Sequence, residues 1–282
     1  MINSNLFSVI INCHNGEKFL QQTFDSIWAQ NFKNFEVIYW DNNSTDKSLE
    51  IAQAQGKKNL RCFQNRKYSI LGEARYLALQ HARGQWVCFL DSDDIWHPDK
   101  LLQDSLIIKE NQKVGLIYSN FHTIDDNNNI LSKNTVCEQR LRNGKKYSHL
   151  VKDNVIALLT ASIKKEEILK INDRYRKYQI REDGAIFYQL VQNTSVYCHT
   201  KSYASYRVHE NNRAKDRILS INEGIFLYYN EELINEFLFL KLLLKLIALK
   251  LKIWINNYRN NKNFIQIPND FEFFEYNKFI FS

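Results

Sequence analysis

The sequence predicts an α/β fold, a mainly parallel sheet flanked by helices, followed by a C-terminal amphipathic helical extension. Two observations carry that prediction. Short apolar, β-rich runs alternate with segments of helical period through the first 120 residues. Composition then changes near Ile221, where a long apolar tail studded with lysines begins. Hydrophobic content of 44% with 24% charged residues supports a sizeable core in a chain of 282 residues.

Taken in order, residues 7–11 form a first strand. Residues 17–30 follow as a helix, with Phe19, Leu20, Thr23, Phe24, Ile27 and Trp28 at helical spacing. A second strand, 35–40, is closed by the turn cluster Asp41-Asn42-Asn43-Ser44, and Ser44, Thr45 and Asp46 can cap a helix at 47–55. Residues 60–63 read as a strand, 73–82 as a helix after Gly72, and 86–90 as a fourth strand. Pro98 suits the first turn of a helix running to about residue 111, and 116–119 is a fifth strand. Residues 120–215 are less regular, with polar turns at 125–129 and at Asn143-Gly144. A helix is expected at 182–192, carrying Ile186, Phe187, Leu190 and Val191. Such βαβα repetition implies helices on both faces of the sheet. Ligands of such sheets bind beyond the carboxyl ends of the strands, where Asn12, Asp41 and Asp91 all fall.

The stretch FLDSDDIWHPDKL places Asp91, Asp93 and Asp94 directly after an apolar run. Carboxylates so close repel one another and resist burial, so a positive group is expected among them. An Asp-x-Asp at a strand end can hold a divalent cation through hard oxygens, leaving positions open for phosphates. Asp94 is expected to cap the next segment or support its neighbours. On spacing alone, a solvated turn with helix caps is the other reading.

A formal charge of +7 and pI near 9.0 favour anionic partners, although Lys and Arg are spread along the chain with no recognisable nucleic-acid module. The five cysteines are scattered, odd in number and without C-x-x-C spacing, which argues against a disulfide framework or a zinc site and fits a reducing cytoplasm. The N-terminal apolar stretch is short and lacks a preceding basic region, so no secretion is expected.

Beyond these readings, SVIINCHNGEKFLQQTFDSIWAQNFKNFEVIYWDNNSTDKSLEIA and then GEARYLALQHARGQWVCFLDSDDIWHPDKL resemble the nucleotide-sugar-binding half of family 2 glycosyltransferases, of bacterial surface-polysaccharide type. Arg181-Glu182-Asp183 falls where that family has its acceptor-side Glu-Asp pair, and Tyr206-Arg207-Val208-His209 resembles its Tyr-Arg-x-His segment. The resemblance implies a GT-A (Rossmann-like) domain over 1–220, with a nucleotide-sugar half at 1–120 and an acceptor half at 121–220, and a helical extension at 221–282. It implies inverting transfer from a nucleotide diphosphate donor, usually a UDP-sugar, with Mn²⁺ or Mg²⁺. The acceptor would be a hydroxyl of a glycan or lipid-linked molecule in lipopolysaccharide, capsule or related surface-glycan synthesis.

Carried over position by position, Asn12 and Asn15 would border the nucleotide. Asp41, with Asn42 beside it, would contact the base or ribose, and Arg75 the base or diphosphate. Asp91 and Ser92 would meet the ribose, and Asp91, Asp93 and His209 the metal, with Arg207 closing over the diphosphate. Asp183 would be the catalytic base, and Glu182 would orient the acceptor or tune that base. Many relatives carry Asp-Asp-Gly-Ser where this chain has Asp41-Asn42-Asn43-Ser44. Asn42 therefore brings a donor as well as an acceptor, and Asn43 tolerates the left-handed turn. Without the resemblance, Asp183 reads equally as a helix cap, Arg75 as a solvated helix residue and His209 as a packing histidine.

Two rival functions compete with this one. A sugar-nucleotide nucleotidyltransferase should show a glycine-rich loop with a basic residue after its first strand, where this chain has Cys13-His14-Asn15-Gly16-Glu17. A non-enzymatic basic nucleic-acid-binding protein is permitted by charge alone. In the tail, FLFLKLLLKLIALKLKIWI, four lysines argue against a membrane span. Lys241, Lys245, Lys252 and Arg259 share one helical stripe, so residues 237–259 suit either the surface of an anionic membrane or packing on the chain's own domain or a second subunit. The localisation expected is cytoplasmic, with peripheral attachment to the inner face of the membrane under the first of these readings.

Overall fold

In this computed structural model, residues 6–134, 156–171 and 174–210 are described, together with residues 223, 224, 227, 240, 244 and 247. The Asn143-Gly144 turn and most of the 237–259 tail lie outside the described residues. The chain divides into two compact units, Met1–Leu227 and Tyr228–Ser282.

Strands β1 (Phe7–Cys13), β2 (Phe35–Asp41), β3 (Leu60–Gln64) and β4 (Trp86–Asp91) form a parallel block in the order β3-β2-β1-β4. Their side chains alternate between two cores. Val9, Ile11 and Cys13 of β1 enter one, and Ile10 the other. Helices α1 (Leu20–Trp28), α2 (Ser48–Ala54) and α4 (Lys100–Glu110) bury residues such as Leu20, Phe24, Ala52 and Leu101 in the first core. Helix α3 (Leu71–Leu79) and helix α6 (Glu182–Asn193) bury Ala74, Ala78, Ile186 and Leu190 in the second. Each fully buried Val, Leu, Ile or Phe contributes about 1.5–3 kcal/mol, so coverage of both faces holds these strands in place.

Beyond β4 the sheet becomes mixed, which the sequence did not predict. The order continues β4-β8-β6-β9-β5, with β7 (Ile130–Asn134) also on β6 (Val114–Ile124). Strand β8 (Ser162–Lys164) runs antiparallel to both β4 and β6, and leads into the short helix α5 (Lys165–Lys170). Strand β9 (Ser195–Arg207) runs parallel to β6 and antiparallel to β5 (Ile95–Trp96). The pairing Ile95↔Ser205 brings the end of β9 beside the segment that follows Asp94.

Several expected elements start or stop elsewhere. The strand expected at 116–119 continues to Ile124, because its polar second half pairs with β7 and β9. The 125–129 turn forms: Asp125 Oδ1 accepts the backbone N–H groups of Asn127 and Asn129, and Asn128 takes φ 68°. Cys13, Cys62 and Cys88 are free thiols.

Candidate active site

The chain leaves β1 for β2 and β3 on one side, then returns to place β4 on the other. This makes the carboxyl ends of β1 and β4 a topological switch point. Asn12 and Asp91 are register partners there, and Cys13 pairs with Asp41. Over these ends opens a cleft of about 1260 Å³. Asn12, Asn15, Asn42, Arg75, Asp91, Ser92, Asp93, Glu182, Asp183 and His209 all line it. Two expected site residues do not: Asp41 and Arg207 are fully buried.

Asp41 is consumed by its own turn. Its carboxylate accepts the Ser44 N–H at 3.1 Å and the Tyr39 hydroxyl at 3.3 Å. Asn42 is committed as well, donating to Ser69 O at 2.7 Å while its Oδ1 accepts the Ser69 hydroxyl at 3.0 Å. Asn43 takes φ 62°, the left-handed turn expected of it. Asn15, also left-handed at φ 55°, ties the loop after β1 to the loop after β2 through Thr45 N–H at 2.8 Å. Asn12 is different. Its side-chain amide is buried in the cleft wall, and neither its oxygen nor its nitrogen has a protein partner. A buried amide left so costs stability unless a ligand completes it.

The acidic cluster has the positive company its spacing demands. Arg75, on α3 and only 2% exposed, donates Nη2 to Asp91 at 2.6 Å and Nη1 to Glu182. It therefore joins the end of β4 to the start of α6 in the cleft wall. Arg207 donates Nε to the Asp93 carbonyl at 2.8 Å, and its N–H to the Asp94 carboxylate at 2.9 Å. Its guanidinium also reaches Asp125 O and Gln22. Arg207 thus shapes the Asp91–Asp94 loop from behind instead of facing the cleft. Asp94 is buried, and that burial, with Asp93 and Asp91 nearby, raises its pKa well above the ordinary carboxylate range. The sequence anticipated its supporting role.

His209 Nε2 lies 2.8 Å from Asp93 Oδ2. Among the described residues, no three His, Cys, Asp or Glu side chains converge as a self-sufficient metal cage. Asp93 and His209 are the side chains that could hold a cation here, and Asp91 offers the oxygen that Arg75 does not engage. Gly16 lets the β1–α1 turn press onto this loop, since a Cβ there would stand 2.7 Å from Ser92 Oγ and 2.8 Å from Cys13 Sγ.

On the facing wall, Asp183 Oδ1 accepts the Gly184 N–H at 2.6 Å. Burial raises its pKa, against the opposing pull of Arg75. Burial also pushes Glu182 up to about 8, although Arg75 pulls it down. Both carboxyls are thereby brought nearer to neutral pH than an exposed carboxylate would be.

Fold and cleft together define a GT-A-type protein, a sheet that presents an acidic loop and a facing carboxylate pair at its switch point. The sequence matches the profile of "Glycosyl transferase family 2" over residues 8–169, more than half of the chain, and the chain belongs to that family. It is 33% identical over 121 residues to UDP-Glc:alpha-D-GlcNAc-diphosphoundecaprenol beta-1,3-glucosyltransferase WfaP of Escherichia coli, covering 43% of this chain and 48% of WfaP. The chain spans about half the length of the curated relatives it matches first. Among solved structures, S. aureus TarS 1-349 in complex with UDP-GlcNAc superposes with a TM-score of 0.67 at 22% identity, over 86% of this chain and 71% of TarS. The mannosyltransferase PcManGT of Pyrobaculum calidifontis, solved with GDP-Man and Mn2+, gives 0.59 at 16% identity, over 82% of this chain and 65% of PcManGT. At such identities these two structures establish the GT-A fold alone.

Proposed function

We propose that this chain is an inverting, metal-dependent glycosyltransferase. It would move a hexose from a UDP-sugar to a hydroxyl of a glycan or lipid-linked acceptor in bacterial surface-glycan synthesis. The observation that carries the reading is one cleft lined by Asp91, Asp93, His209, Glu182 and Asp183 together. The name of WfaP, a UDP-Glc-dependent enzyme acting on a diphosphoundecaprenol-linked sugar, supports the donor and acceptor classes. Neither the nucleotidyltransferase nor the nucleic-acid-binding alternative is favoured by the family match.

In this reading Asn12 completes its hydrogen bonds on the nucleotide, and the free oxygen of Asp91 receives the ribose. Asp93 and His209 would hold Mn²⁺ or Mg²⁺, which when bound neutralises the leaving diphosphate as a Lewis acid. Asp183 accepts the proton of the acceptor hydroxyl as it attacks. Attack from the face opposite the diphosphate inverts the anomeric carbon. Glu182, tied to Arg75, orients the acceptor beside the base.

The test is a panel of nucleotide sugars scored by thermal stabilisation and by nucleotide release, with and without Mn²⁺. A UDP-sugar is expected to raise the melting temperature in a Mn²⁺-dependent manner, and Asp93→Ala to abolish the Mn²⁺ increment. Equal stabilisation by every nucleotide sugar with and without metal would remove the reading.

Among the described residues no helix is long and apolar enough to cross a membrane. We infer from the basic stripe of the 237–259 segment that the enzyme attaches peripherally to the cytoplasmic face of an anionic membrane, where a lipid-linked acceptor would be met. Full-length protein should co-sediment with phosphatidylglycerol vesicles, and a form ending after residue 227, at the boundary of the first unit, should not. Equal binding by both forms would refute the attachment.

A further inference from the structure

The segment that leads into Glu182 and Asp183 is held by a residue far downstream. Helix α6 begins after Arg181 with no side-chain cap of its own. Instead the carboxylate of Glu223, 7% exposed, accepts three successive backbone N–H groups: Gln179 at 2.7 Å, Ile180 at 2.7 Å and Arg181 at 3.0 Å. Gly184 allows the downstream segment to pack closely, since a Cβ there would stand 3.1 Å from Leu227. The segment is gripped from its other side too, because Gln179 accepts the Leu71 N–H at 3.0 Å and donates to the Tyr68 hydroxyl at 3.0 Å.

Three amide donors ahead of a helix N-terminus form a concentrated positive end, and a carboxylate answers it with charge-assisted bonds. Those bonds set the backbone from which Glu182 and Asp183 project. Glu223 does not itself line the cleft. We propose that Glu223 is a positioning residue that fixes the carboxylate pair against Arg75 and the donor site. This rests on the reading of Asp183 as the base. A displacement of about 1 Å at a reacting group can cost about a hundredfold in rate, so loosening this clamp should reach the chemistry.

The test compares full-length Glu223→Gln with Glu36→Gln. Glu36 is also a buried carboxylate accepting from three groups, but at the opposite end of the strands, where it binds Ser8, Arg61 and the Arg83 N–H. Glu223→Gln turns an amide donor toward a backbone donor and removes the charge. Glu223→Gln is expected to lower turnover, read as UDP release from the best donor of the panel, by about tenfold or more, with UDP affinity within about threefold. Hydrogen exchange at the amides of 179–181 should quicken. Glu36→Gln should lower the denaturation midpoint while turnover of the folded protein holds. Normal turnover in Glu223→Gln, or a loss no greater than that in Glu36→Gln, would overturn the proposal while leaving the base assignment intact. Near-normal turnover in Asp183→Asn would instead overturn the base assignment, and the proposal with it.

Discussion

Asp183→Asn is expected to cut turnover by about two or more orders of magnitude while UDP affinity stays within about threefold. The substitution is nearly isosteric, and the asparagine oxygen can still accept the Gly184 N–H that Asp183 accepts at 2.6 Å. What disappears is the capacity to take a proton. The pH profile gives an independent check. A base works ionised, and burial holds the Asp183 pKa above the ordinary carboxylate range, so parental turnover should fall as pH drops through that raised value. Above it the rate should level off. The residual rate of the asparagine variant should lack this acid limb, and a limb unchanged in that variant would assign the base elsewhere.

The first half of the fold is legible because β1, β2 and β4 are covered on both faces, so burial dictates runs that stay apolar through their middle residues. Helix α6 is legible for a related reason, since Ile186, Phe187, Leu190 and Val191 all face one core. Strand β9 carries no such signal. Its sequence SVYCHTKSYASYR mixes polar and aromatic residues because much of the strand is only partly buried, and its partner β6 is distant in the chain. The acidic loop could be found because neighbouring carboxylates at a strand end are conspicuous in one dimension. Asp41 sits just as suggestively, but only the turn geometry reveals that Ser44 and Tyr39 occupy its oxygens. Glu223 gave no local signal at all. Its partners are backbone amides some forty residues away, and backbone amides have no letter in a sequence.

Arg75→Met should be the most destabilising single change in the site, by about 3–5 kcal/mol at a pH where Glu182 is ionised, because it strands a carboxylate that cannot reach water. The two partners of Arg75 are unequal in this respect. The Asp91 side chain is 41% exposed and can be rehydrated, whereas that of Glu182 is 4% exposed. Most of the penalty should therefore belong to Glu182, which makes the effect separable. Glu182 is already pushed up to about 8 by burial, and losing Arg75 removes the charge that pulls it down. The native state of the single variant would consequently keep the Glu182 proton to a higher pH than the parent does, whereas the unfolded chain releases it near its ordinary pKa. Stability should then fall as pH rises between those two values, because over that range the native state holds more protons than the unfolded one. Arg75→Met/Glu182→Gln removes the stranded charge, and urea midpoints should show the double variant recovering most of the loss and this pH dependence vanishing. Turnover should not return with stability, since the link from the end of β4 to the start of α6 is still broken. A single-variant loss below about 1 kcal/mol would mean that Arg75 is not the counter-charge on which the facing walls depend.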